Sequence, residues 1–330
     1  MRAVLIGAGA VGARIARQLV PGDGVDSLVV VDRDRIRAAA VVASLGAPAL
    51  PAPPGGASLQ GADVVVVAVP TGGHRTVAEQ ALEQGAHVVS VSDAVGDVRD
   101  LLALDAEARE RDLSVVVGAG FSPGLTCLLA RHAAAGFDEV DEIHVAKFGT
   151  AGPACARHHH QALTERAVDW REGAWVTRPG GSGRELSWFP DPVGPLDCYR
   201  AGLPDALLLA PAVPGVARVT ARVAATRRDR FTSRFPMLRP PHPEGLVGAV
   251  RVEVRGRRGR GRDVRVLGAL DRPGVAAGAV AAVAALWAAE SRLARPGAAG
   301  LAELVAEPVP FLTELGRRGV RAAAFEGTAA

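Results

Sequence analysis

Six residues near the amino end, Gly7-Ala8-Gly9-Ala10-Val11-Gly12, restrict this chain more than any other feature. They follow a short apolar run, Ala3–Ile6, and open a helix-patterned stretch, Val11–Val20. The three glycines do different physical work. Gly7 permits a tight turn, Gly9 lets the backbone approach a ligand, and Gly12 lets the helix pack close to the strand. Ala10 and Val11 then start a helix whose free N–H groups attract a phosphate charge. Asp32 ends the next apolar run, at the spacing that sets a carboxylate against a ribose. Together these residues describe a dinucleotide site. Asp32 accepts hydrogen bonds from both ribose hydroxyls and repels a 2′-phosphate, which favours NAD, while Arg33 and Arg35 leave NADP open.

The rest of the first third repeats the same grammar. Ser27–Val31, Asp63–Val69, His87–Val91 and Ser114–Val117 have the length and β-branched content of buried parallel strands. Helix patterns lie between them at Arg33–Leu45, Arg75–Gln84 and Val98–Arg111. Strand, helix, strand in alternation predicts right-handed crossovers and an α/β fold, here a doubly wound parallel sheet of the Rossmann kind over residues 1–122. Beyond it, a helix is expected from Pro123 and a strand over Ile143–Phe148. Val250, Val252 and Val254 alternate with Arg251, Glu253 and Arg255. Val264 and Val266 repeat the pattern across an Arg-Gly hairpin tip at Gly256–Gly261. Residues 123–273 therefore read as an α+β domain with a mainly antiparallel sheet. Arg171–Arg200 shows no periodicity and is expected to be irregular. An Ala-rich helix over Gly274–Leu293 and a short one over Phe311–Arg318 complete residues 274–330.

Composition excludes several classes. Of 330 residues, 48% are hydrophobic and 22% charged, proportions found in globular proteins. A net charge of +3 gives no reason to expect nucleic acid or membrane as a partner. Cys127, Cys155 and Cys198 form no CxxC pair, so a reducing, cytoplasmic setting is expected. Glycines interrupt the apolar amino end where a secretory signal needs a continuous helix. The alanine-rich run Val275–Ala289 is too short to span a bilayer.

Doubly wound sheets bind ligands at the carboxyl ends of their strands. On that ground Pro70 and Thr71 are candidates for the ribose or pyrophosphate, and Asp93 and Phe121 for the nicotinamide. Lys147 stands out because all the other residues counted as Lys or Arg are arginine. Arginine keeps its proton, whereas a desolvated lysine can lose one, so a site needing a tunable amine would resist that bias. His158, His159 and His160 offer imidazoles near neutral pH, although helical geometry lets only one or two share a site. Cys155 and His158 could share a helix face, but two ligands without a third nearby predict no metal centre. Tyr199, the sole tyrosine, is a catalytic candidate, and Arg200 and Arg227 are candidates for gripping a carboxylate.

Gly7–Gly12, the segment Gly118-Ala-Gly-Phe-Ser-Pro-Gly-Leu125, the segment Phe189-Pro-Asp-Pro-Val-Gly-Pro-Leu-Asp197 and the closing Phe311–Val320 resemble the saccharopine dehydrogenase family. That family includes saccharopine reductases, lysine 6-dehydrogenases and carboxynorspermidine dehydrogenases. The resemblance implies hydride transfer at a carbon–nitrogen bond of an amino acid, amine or imine. It also implies a second domain that binds the substrate and makes a homodimer contact, and last helices that return to the Rossmann unit. Between Ala151 and Arg184 the likeness to the lysine-pathway members lapses. Two other readings fit the same scaffold: an enzyme that keeps and recycles its NAD, and a non-catalytic NAD-binding sensor or partner protein.

Overall fold

Short β-branched runs with no polar face suit strands covered on both sides, and such runs form the centre of the first sheet. The protein is described by a computed structural model covering residues 1–20, 24–52, 59–237 and 240–325. Strands β1 (Arg2–Ile6), β2 (Ser27–Val31), β3 (Ala49–Pro51), β4 (Val64–Val67), β5 (His87–Ser90) and β6 (Ser114–Val117) are all parallel. Every residue of β4 is buried, a gain of roughly 1.5–3 kcal/mol for each valine side chain. Helices α1 (Ala10–Leu19), α2 (Arg35–Ala43), α3 (His74–Glu83), α4 (Val95–Leu102) and α5 (Asp105–Glu110) connect them. The expected single helix Val98–Arg111 is thus two, broken at Ala103-Leu104 so that both Leu101 and Ala108 reach the core.

After β6 come α6 (Leu125–Ala134), the long strand β7 (Glu139–Phe148) and α7 (Pro153–Ala162). The stretch expected to be irregular contains β8 (Ala167–Arg171), β9 (Ala174–Arg178), β10 (Glu185–Trp188) and β11 (Pro195–Arg200). These strands lie toward one side of the second sheet, with Trp175, Leu186 and Trp188 exposed. Ladder hydrogen bonds define them without an alternating burial signal. Next are α8 (Asp205–Leu209), β12 (Arg218–Ala224), α9 (Arg227–Thr232) and the hairpin β13 (Gly248–Arg258) and β14 (Gly261–Asp271). The hairpin tip is shorter than expected, since pairing continues to Arg258 and Gly261.

The last part is α10 (Pro273–Ala289), β15 (Gly297–Gly300), α11 (Leu301–Leu304), α12 (Pro308–Arg317) and β16 (Ala322–Phe325). Among the described residues the first sheet has seven strands ordered β15-β6-β5-β4-β1-β2-β3. The second has nine, with β10-β11-β12-β7-β13-β14-β16 as its path. In the second sheet β7 and β12 run parallel and the other pairs are antiparallel. Neither β15 nor β16 is legible in the sequence. Gly297-Ala-Ala-Gly300 lacks branched side chains and borrows its register from β6.

Alternation gives the second sheet two unlike faces. Ile143, Val145 and Lys147 share one face with Val219, Ala221 and Val223 of β12 and with Val250, Val252 and Val254 of β13. Glu142, His144, Arg218, Thr220, Arg222, Arg251, Glu253 and Arg255 occupy the other, joined by ion pairs such as Arg251–Glu253 at 2.5 Å. Helix α10 is apolar all round and buried along nearly its whole length against α1, β4 and β5. Gly278 sets that approach: a Cβ there would come within 2.7 Å of Arg14 Cβ. Among the described residues no helix is long and apolar enough to cross a membrane.

Candidate functional site

The loop from β1 to α1 has the form its glycines demand. Gly7 has φ +107°, and a Cβ on Gly12 would lie 1.9 Å from the Gly7 carbonyl oxygen. The turn therefore closes only without side chains. Gly9 differs: a Cβ there would meet nothing within 4 Å, so its backbone faces open space. Gly9 also caps α1 without a side-chain hydrogen bond, which leaves the N–H groups of the first turn, Ala10 and Val11 included, to an outside acceptor. Asp32 Oδ2 accepts from Ala8 N–H at 2.7 Å and Oδ1 from Asp34 N–H at 2.8 Å, which fixes the carboxylate beside the glycine loop. Arg33 and Arg35 are exposed. An open cradle over uncapped helix N–H groups, next to an oriented carboxylate, fits the pyrophosphate and ribose of a dinucleotide.

The loops after β4 and β5 are braced together by residues without a sequence signal. His74 is fully buried; Nε2–H donates to the Val69 carbonyl at 3.1 Å and Nδ1 accepts from Ser90 Oγ at 2.9 Å. Burial lowers its pKa against the pull of Asp97, so it stays neutral. Asp97 accepts from Gly72 N–H at 3.1 Å and from Ser92 Oγ at 2.6 Å. Pro70 and Thr71 ride exposed on this frame. Phe121, expected near the nicotinamide, is 7% exposed and packs in the main core.

A second cluster forms where α7 meets these loops. Gly152, just before α7, approaches α1 so closely that a Cβ would lie 2.7 Å from Ala10 Cβ, which places α7 directly beside the glycine loop. On α7, Cys155, His158 and His159 share the face toward Asp93, as i, i+3, i+4 spacing requires. His159 Nε2 lies 2.7 Å from Asp93 Oδ2, 2.9 Å from Lys147 Nζ and 3.5 Å from Cys155 Sγ. Lys147, near the end of β7, also reaches Asp93 Oδ2 at 3.4 Å and the Ser122 carbonyl at 3.3 Å. His158 Nε2 contacts the Asp93 carbonyl at 3.3 Å. Asp93, expected as a cofactor contact, is thus the common acceptor of the cluster.

Charge sets the protonation states. Burial alone would raise the Asp93 pKa, but the charge of Lys147 and the bond from His159 outweigh it and hold the carboxyl well below its usual range. Burial and the charge of Lys147 bring His159 down to about 4 despite Asp93, so at neutral pH the ring is neutral. Its Nε2–H then donates to Asp93. Burial and the Asp93 charge push the Cys155 thiol up to about 12. Beneath Lys147, Ser122 Oγ and Thr126 Oγ1 donate to Asp205 Oδ1 at 2.9 and 2.7 Å, and burial raises the pKa of that carboxyl. Sequence reading misses Asp205. Its signal is an acid beside the apolar run Ala206–Leu209, which demands buried partners.

Other candidates lie apart. His160 turns away and contacts the Phe235 carbonyl at 3.0 Å. Tyr199 stands in the same cross-strand row as Val223 and Lys147. It is nevertheless two strands from the lysine, a separation of about 10 Å. It is fully buried, its hydroxyl has no hydrogen-bond partner among the described residues, and Arg230 lies 5.2 Å over its ring. Arg200 alternates with Tyr199 and so falls on the face opposite Lys147. There it donates to Asp169 at 3.1 Å beside a cavity of about 330 Å³. It therefore cannot hold a substrate that Lys147 also touches. Arg227 is exposed on α9.

Residues 1–119 match the Gfo/Idh/MocA model, an oxidoreductase family with an NAD-binding Rossmann fold. Over the whole chain, saccharopine dehydrogenase (L-Glu forming) from Saccharomyces cerevisiae superposes with a TM-score of 0.68 at 14% identity, covering 98% of this chain and 99% of that one. A protein from gentamicin A biosynthesis in complex with NAD gives a TM-score of 0.48 at 15% identity, covering 99% of this chain and 97% of that one. UDP-N-acetylglucosamine 3-dehydrogenase from Acidithiobacillus ferrooxidans gives 0.48 at 17% identity, covering 96% of each chain. The amino-terminal domain is an NAD-binding Rossmann domain of the oxidoreductase type, and the chain has a saccharopine dehydrogenase-like fold.

Proposed function

We propose that this chain is an NAD-dependent oxidoreductase acting at a carbon–nitrogen bond of a small amino acid, amine or imine, with Lys147 exchanging a proton with the substrate nitrogen. The observation that carries this reading is the meeting of the sole lysine with Asp93 and His159 next to the glycine loop. Gly7, Gly9, Gly12, the start of α1 and Asp32 would hold NAD, which supplies or removes the hydride when bound. An amine must be unprotonated before a carbon–nitrogen double bond can form, and an imine gains a proton as it is reduced. Either direction needs one group that trades one proton. Lys147 suits that role because it is 2% exposed and held by two acceptors, the Ser122 carbonyl and Asp93. Asp93 balances its charge, and neutral His159 steers Asp93 through Nε2–H.

In this reading residues 1–122 hold the cofactor and 123–273 hold the substrate; of the segment expected to return to the first domain, 274–330, α10 and β15 do so, while β16 instead pairs with β14 at the edge of the second sheet. Arg227 is left as the arginine for a remote carboxylate. The protein would work as a cytoplasmic homodimer; light scattering in solution checks the dimer directly. Activity is tested with a panel of amino acids and diamines plus NAD, followed by NADH absorbance. Lys147→Met should lower turnover about 10²–10⁴-fold with NADH binding unchanged. Wild-type turnover in that variant would refute the role of Lys147, and reaction with hydroxyl substrates only would refute the carbon–nitrogen assignment.

A further inference from the structure

We propose that Asp93, Cys155 and His159 form a site for a thiophilic divalent ion of the zinc class, and that metal binding silences the proton relay. The silencing rests on the function proposed above; the binding does not. Asp93, Cys155 and His159 offer ligand atoms that all lie within 4.8 Å of one another. The separations are 3.5 Å for sulfur to nitrogen, 4.0 Å for sulfur to carboxylate oxygen and 2.7 Å for oxygen to nitrogen. Zinc with bonds of about 2.0–2.3 Å to these atom types needs ligand–ligand edges of roughly 3.3–3.7 Å in a tetrahedron. The sulfur edges are close to that range, and the short edge opens by less than about 1 Å through side-chain rotation.

The three ligands come from two parts of the chain. Cys155 and His159 share a face of α7 at i, i+4, and Asp93 follows β5. Sequence spacing points to His158 beside Cys155 and offers no third ligand; the fold puts His159 there and brings the carboxylate from elsewhere. One thiolate, one imidazole and one carboxylate select zinc-like ions over magnesium or calcium, which require oxygen. Three protein ligands leave a fourth position open, as in exchangeable zinc sites. The Asp93 side chain is 19% exposed and Cys155 half-buried, so an ion can enter from solvent.

Binding would break the Cys155 S–H bond and form metal–sulfur, metal–nitrogen and metal–oxygen bonds, releasing the thiol proton to solvent. The His159 proton would move from Nε2 to Nδ1 without net change. The dication is then neutralised by the Asp93 carboxylate and the Cys155 thiolate. Lys147 would lose its counter-ion and His159 its link to Asp93, so the proton path closes without any change in oxidation state.

The decisive experiment uses the full chain with NAD bound and Co²⁺ as the spectroscopic probe. A thiolate-to-cobalt charge-transfer band should saturate at one equivalent per chain and vanish when Zn²⁺ is added. Cys155→Ser should abolish the band and weaken cobalt binding at least about 10-fold. Cys127→Ser, at a fully buried thiol on α6, should keep both. NADH binding in each variant shows that the fold is intact. A missing band in wild type, or a band that survives Cys155→Ser, overturns the site. Zinc inhibition of wild-type turnover supports the silencing, and a saturated band with turnover unaffected overturns it. If the cobalt band behaves as stated while Lys147→Met keeps full activity, the relay reading fails and the metal site stands.

Discussion

Gly12 and Gly9 sit three residues apart in one loop and should fail in opposite ways. In Gly12→Ala the new methyl would begin 1.9 Å from the Gly7 carbonyl oxygen. Ordinary contact between heavy atoms needs about 1.5 Å more. The obstacle is backbone, so either α1 or the loop must move. Overpacking of this kind costs about 1–3 kcal/mol, which outweighs the roughly 1 kcal/mol that alanine gains over glycine inside a helix. A shift of about 1 Å at the phosphate cradle costs about 100-fold in function. Gly12→Ala should therefore lose both thermal stability and NAD affinity. In Gly9→Ala the methyl meets no protein atom, and the backbone at φ −72°, ψ −167° suits any residue. Stability should then change by less than about 0.5 kcal/mol. The methyl instead fills the space that the pyrophosphate must approach, so NAD affinity should fall at least about 10-fold. Melting curves without cofactor and calorimetric titration with NAD separate the two outcomes. If Gly9→Ala binds NAD like wild type, the open side of the loop is not the cofactor cradle.

The buried cluster gives a pH signature. His159 has its pKa lowered to about 4, against an unfolded value of about 6.5. The unfolded chain therefore binds the extra proton first, and stability falls as pH drops from about 6.5 to about 4. Urea melts across that range should show this slope in wild type and a smaller one in His159→Gln; equal slopes would contradict the assignment. Tyr199→Phe removes a buried hydroxyl that has no partner among the described residues, so stability should hold or rise by up to about 1 kcal/mol and turnover should persist. A large loss of turnover would give Tyr199 a catalytic role after all. Asp32→Asn removes the charge that repels a 2′-phosphate, so the ratio of NADP to NAD affinity should rise about 10-fold or more by titration. An unchanged ratio would mean that Arg33 and Arg35 set the preference.

The first sheet is legible in sequence because its signals are local: unbroken valine runs, glycines at fixed offsets and Asp32 at the next strand end. The β13–β14 hairpin is legible for a related reason, its clean alternation of Val250, Val252 and Val254 with Arg251, Glu253 and Arg255. By contrast β9 and β10 carry exposed tryptophans and charged neighbours, and β15 is glycine and alanine; partners set these strands, not their own side chains. The site divides the same way. Lys147 and the histidine triplet are visible as chemical oddities, but which histidine faces the lysine depends on the rotation of α7. Asp205 and His74 are silent because their importance lies in being buried with partners distant in sequence. Arg200 is misplaced by one step of strand alternation, enough to put it on the far side of the sheet.

Lys147 and the cofactor must serve the same substrate bond if the proposed chemistry is right. A crystal structure of the chain with NAD and a substrate amine bound tests this directly. The substrate nitrogen should lie about 3–3.5 Å from Lys147 Nζ, with the adjoining carbon at a similar distance from nicotinamide C4. A nicotinamide ring turned away from Asp93 and Lys147, or a substrate bound by the Arg200 cavity on the opposite face of the second sheet, would contradict it.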